Sequence, residues 1–149
     1  MEQQKGSMLL KVMSIIMIVG GIAGAVGSLL MGALSGVITA VADNEQVQQA
    51  AREAGTTTGK ITGLLWVATA VSVVAAVVEI IAGFKGKSNW NKPEMAKTLM
   101  IWGIICLAVS LVGNILFITS DAASIISILT GLVVPALYVV GTVQLKKQA

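Results

Sequence analysis

Glu79 is the only charged residue in positions 61–84, and the run around it, VVEIIAGFKG at 77–86, is otherwise apolar up to Lys85. A carboxylate in such a run can do two kinds of chemistry. It can hold a cation on a neighbouring helix as an ion pair, or it can bind and release a proton or a small cation. The first expectation is an ion pair with Lys11, which follows Met8-Leu9-Leu10 and opens a long charge-free segment. A lysine stem can run along apolar surface to bring its amine to such a site. Lys97 is the second candidate partner. Five apolar residues separate Glu79 from Lys85, and the six steps span about 9 Å on a helix, so the carboxylate is expected below the membrane surface and not at its midplane.

Other reactive groups are few. There is no histidine, which removes imidazole ligands and histidine-based triads. A lone cysteine, Cys106, lies inside another apolar run, and no phosphate-binding loop, HExxH or CxxC pattern occurs. The chain is therefore expected to be no enzyme, with no catalytic residues, cofactor or metal. Two further positions stand out. Asn114 continues a four-residue row from Cys106 and Ser110, and is expected to bond a neighbouring helix. Pro135 follows Gly131 by four, so it returns no N–H to that carbonyl and can kink its helix.

The segments that carry these residues read as membrane spans. Hydrophobic residues make up 56% of the 149 and charged ones only 11%, too apolar for a water-soluble chain of this size to bury. Residues 12–42, 61–78, 98–120 and 122–145 hold no charge, each near or above the roughly 18 apolar residues of a transmembrane helix. The expectation is an all-α integral membrane four-helix bundle, one domain over 1–149, with spans about 10–41, 60–84, 94–118 and 122–145. A cleaved signal peptide is the rival for the first run, with Ala23-Gly24-Ala25 as cleavage site. The apolar run continues well past that site, which favours a span.

The connections set orientation. Lys5 and Lys11, then Lys85, Lys87, Lys92 and Lys97, then Lys146 and Lys147 fall on one side of a four-span chain. Only Arg52 and Lys60 fall on the other. The positive-inside rule then puts both termini in the cytoplasm, in the cell membrane. DNEQVQQAAREAG, from position 43, has Asp43 or Asn44 to cap a helix and Gly55 to stop it, so a short extracytoplasmic helix is expected between spans 1 and 2. Gly86 is expected to stop span 2, and Asn91-Lys92-Pro93-Glu94 to start the next helix. Trp66, Trp90 and Trp102 suit the membrane interface. Partners expected from this pattern are the lipid bilayer and anionic lipid at Lys85, Lys87 and Lys92, with no nucleic acid.

Span 1 carries Gly20, Gly24, Ser28, Gly32 and Gly36, spaced by four. Small residues in register let another backbone approach closely in lipid. Packing within the chain against span 2 or 4 is expected first, and a homo-oligomer contact second.

EIIAGFKG at 79–86 and NKPEMAKTLMIWGII at 91–105 resemble uncharacterised small four-span membrane proteins of Gram-positive bacteria, a likeness covering residues 66–116. It implies a glycine-ended span, a lysine-rich turn and a further span, and it brings no activity with it. The KPE wording is also similar to rotary-ATPase proteolipids, but their acid lies at mid-bilayer in a later helix. Small multidrug transporters keep their glutamate in the first span, which here has no acid. The leading expectation is a non-catalytic membrane scaffold or accessory protein that self-associates. The alternative is a small transporter or channel subunit using Glu79 as its coupling carboxylate.

Overall fold

The computed structural model describes the backbone of residues 5–117 and 123–148, and side chains within 8–115 and 131–148. Five α-helices make up nearly all of it: α1 (Lys5–Val41), α2 (Glu45–Glu53), α3 (Thr58–Asn89), α4 (Ala96–Phe117) and α5 (Ala123–Lys146). Three helical segments are long and apolar enough to cross a membrane, Met8–Val41, Thr58–Asn89 and Pro93–Ile115, and Gly131–Lys146 is a shorter apolar one. The turn expected at Ser120-Asp121 lies outside the described residues.

The helix ends follow local chemistry. Asn44 caps α2 by accepting a 2.9 Å hydrogen bond from the Gln46 N–H, satisfying an orphan donor of the first turn. Gly55, at φ 72°, then turns the chain in the left-handed region that glycine tolerates. Thr57 caps α3 through a 3.3 Å bond from the Lys60 N–H. Pro93 opens a short 3-10 turn, Pro93–Met95, that leads into α4. Gly86 does not stop α3 as its type suggested; the helix runs on to Asn89.

The four long helices close into a ring, α1 against α3, α3 against α4, α4 against α5 and α5 against α1, with the α1–α3 pairing the most extensive. Packing is tightest at the end that carries Lys11, Lys85 and Lys97. There Leu10, Leu99, Tyr138 and Leu145 are wholly buried, with Ala82, Ala96 and Cys106 around them. Toward α2 the ring loosens and cavities appear between α3 and α4. Among the described residues the large, wholly buried side chains gather at the lysine end.

Candidate functional site

The position of Glu79 follows from the register of α1 on α3. The two run antiparallel, so Ser14 meets Gly86, Gly21 meets Ala76 and Ile80, and Gly32 meets Thr69. Farther along, the Trp66 indole N–H donates to Thr39 Oγ1 at 3.3 Å. The seam on α1 is Ser14, Gly21, Ser28 and Ser35, all buried and spaced by seven. Thr69, Ala76 and Gly83 answer it on α3 with the same spacing, all buried. A seven-residue repeat drifts only about 20° per step around a helix, so it stays on one line facing a partner. The serines satisfy their hydroxyls locally: Ser14 Oγ donates to the Leu10 carbonyl at 2.6 Å and Ser28 Oγ to that of Gly24 at 2.7 Å.

The four-residue row behaves differently. Each of its steps turns about 40° at 3.6 residues per turn, so five members fan across about 160°. A Cβ on Gly24 would meet Ala76 Cβ at 3.6 Å and one on Gly32 would meet Thr69 Cγ2 at 3.6 Å, both ordinary contacts with α3. Ser28 is buried, while a Cβ on Gly36 would meet nothing within 4 Å. The closest backbone approach lies instead at Gly21 and Gly83, which the row omits. A Cβ on Gly21 would stand 2.6 Å from Ile80 Cγ1 and 3.0 Å from the Ala76 carbonyl oxygen. A Cβ on Gly83 would stand 2.7 Å from the Ser14 carbonyl oxygen.

Glu79 flanks this seam, half-buried, with Oε2 3.7 Å from where a Cβ on Gly20 would lie. Lys11 is elsewhere: its Nζ stands 4.7 Å from the centroid of the Trp90 ring. Lys11 and Gly20 are nine residues apart on α1, about 14 Å along the axis. The structure therefore does not bring Glu79 and Lys11 together, and among the described residues no ion pair joins them. The reason is the length of α3. Because it continues through Gly86 to Asn89, the residue that faces Lys11 is Trp90, and Glu79 is carried about three turns deeper. Lys85 turns away in the same manner, with Nζ 5.6 Å from the Trp102 ring centroid. Lys87 and Lys92 are exposed at the same end. Lys97 is exposed as well, at the start of α4.

Among the described residues no hydrogen bond holds the Glu79 carboxylate. Thr62 Oγ1 is the only fully buried side-chain polar atom without a partner there, and Glu79 itself is half-buried. Around it the ring is tightly built. The Cys106 thiol, 1% exposed, points at the Val78 carbonyl oxygen, 3.9 Å away. Tyr138, wholly buried, donates to the Ala82 carbonyl oxygen at 3.0 Å.

On the α2 side of Glu79 the packing gives way to a cavity of about 190 Å³, lined by Ser72 and Ala75 of α3, Ser110, Gly113 and Asn114 of α4, and Gly131 of α5 among others. Asn114 is half-buried, with Nδ2 3.7 Å from where a Cβ on Gly131 would lie. Pro135 is buried inside α5, which stays helical through it. The row Cys106, Ser110, Asn114 was legible in the sequence. Ser72 as its counterpart was not, although it stands seven residues before Glu79, on the same face.

No protein-family model, no curated protein and no solved structure matches this chain. What the site does has to be argued from its chemistry.

Proposed function

We propose that this chain is a small transporter or channel subunit in a cell membrane, a four-span bundle with both termini cytoplasmic, in which Glu79 takes up and releases a proton or a small cation. One observation carries the reading: the Glu79 carboxylate lies within the ring with no cation against it among the described residues, one helical turn from a cavity to which Ser72, Ser110 and Asn114 bring polar groups. Keeping an ionisable group in an apolar span costs free energy, about 2.5–3.5 kcal/mol for an acid at a helix centre. A structural ion pair would offset that cost. Without one, the group's retention is explained by work that needs its charge to change.

A membrane scaffold is the competing reading. It calls for Glu79 sealed by packing, whereas Glu79 is half-buried; in its favour is the uncovered face at Gly36, open to a second copy. Flux in proteoliposomes separates the two. With an imposed proton or sodium gradient, the wild type should dissipate it faster than empty vesicles. Glu79→Gln should abolish the difference and Glu79→Asp should keep part of it. Wild-type vesicles as tight as empty ones would return the chain to the scaffold reading.

A further inference from the structure

We infer that the cavity between α3, α4 and α5 is a hydrated vestibule that serves Glu79 from the α2 end of the bundle. The inference deepens the transport reading above and rests on it for the vestibule's purpose.

Two cavities lie side by side in this half of the ring and share Val71 and Val109 as a wall. The larger, about 350 Å³, is lined among the described residues by Ala70, Val71, Val74, Ala108, Val109 and Val112. It is an open crevice, with Val74 and Val112 half-exposed, and its side chains offer water nothing to bond. The smaller, about 190 Å³, collects the polar groups. Ser72 and Ser110 bring hydroxyls and Asn114 an amide. Gly131 brings a carbonyl to which Pro135, four residues on, returns no N–H. A water needs two to four polar partners and about 30 Å³ of liquid volume. This cavity has room for several waters and groups to hold them, so in a bilayer it is the wet one.

Its position relates it to Glu79. The lining on α3 ends at Ala75, one turn short of Glu79, and the lining on α4 ends one turn short of Cys106. Ala75 and the Cys106 thiol therefore stand between the vestibule and the carboxylate. The other titratable groups nearby are committed elsewhere: Tyr138 to the Ala82 carbonyl, Lys85 over Trp102 and Lys11 over Trp90. Access from the lysine end is plugged by Leu10, Leu99, Tyr138 and Leu145, all 0% exposed. With the lysine end closed, the vestibule we infer takes its water from the α2 end.

Thiol labelling tests this without reference to transport. In a Cys106→Ala background, Ser110→Cys and Ser72→Cys place near-isosteric thiols in the polar cavity, and Val74→Cys places one in the apolar crevice. Gln48→Cys on α2 marks which face a membrane-impermeant methanethiosulfonate has reached. Positions 110 and 72 should react from the Gln48→Cys face, about tenfold or more faster than position 74, because the reactive thiolate needs water. Rates equal to that of position 74, or labelling from the opposite face alone, would overturn the vestibule. Labelling as expected with no flux would leave the vestibule standing and remove the transport reading. Flux lost on Glu79→Gln, but with no labelling, would do the reverse.

Discussion

The hydroxyl of Tyr138 donates a 3.0 Å hydrogen bond to the carbonyl oxygen of Ala82, tying α5 to α3 across the ring. The slot for that ring exists because residue 86 has no side chain. A Cβ on Gly86 would stand 2.7 Å from Tyr138 Cε2 and 2.9 Å from its hydroxyl, and would run into Ser14 Oγ. Gly86→Ala should therefore destabilise the fold by about 1–3 kcal/mol, the usual cost of overpacking. Tyr138→Phe should cost less, about 1 kcal/mol for the lost hydrogen bond. Thermal unfolding in detergent gives both values. A Gly86→Ala protein as stable as wild type would show that the slot is looser than described.

The α1–α3 seam makes a second prediction. Gly21→Ala and Gly83→Ala each put a methyl against backbone atoms at 3.0 Å or less, and backbone cannot step aside as a side chain can. Both should lower the melting temperature. Gly36→Ala meets open space and removes a poor helix former, so it should be neutral or stabilising by up to about 1 kcal/mol. The same unfolding series orders the three, and Gly36→Ala falling lowest would place the true seam on the four-residue row.

Much of this was legible in the sequence and some was not, for a physical reason. The apolar runs, the N-cap at Asn44, the stop at Gly55 and the Pro93 turn are set by local chemistry, and they appear where the residues put them. Register between helices is not local. Lys11 and Glu79 each lie near the lysine-rich end of an apolar run, which is why they are expected together, and that depth does not fix the register of one helix on another. In an apolar bundle glycine also marks close approach, and Gly86 is buried against Tyr138 in the last turn of α3. The row of four was easier to see than the repeat of seven because it is denser in glycine. The longer repeat, mixing Ser14, Gly21, Ser28 and Ser35, is what stays in line.

The two cavities should answer differently to being filled. Gly131→Val places a larger side chain beside Asn114, toward which even a bare Cβ would come within 3.7 Å, and should slow flux strongly while leaving the melting temperature near that of wild type. Ala108→Leu fills the apolar crevice; it should leave flux unchanged and be neutral or mildly stabilising through added contacts. Equal loss of flux in both variants would mean that general distortion, and not the polar route, limits transport.

The account turns on Glu79 standing without a cationic partner, and a double-mutant cycle measures that directly. Glu79→Gln, Lys11→Met and the double variant are unfolded under one condition, with Lys11→Met and Trp90→Leu as the companion cycle. Lys11 sits 4.7 Å from the Trp90 ring centroid and about 14 Å along α1 from the level of Glu79. The Lys11–Trp90 cycle should then show coupling, about 0.5–2 kcal/mol as for a cation over an indole. The Glu79–Lys11 changes should add within about 0.5 kcal/mol, as distant sites do. A Glu79–Lys11 coupling above about 1 kcal/mol, with the double variant recovering stability lost by each single change, would contradict the account and make the pair a structural clamp.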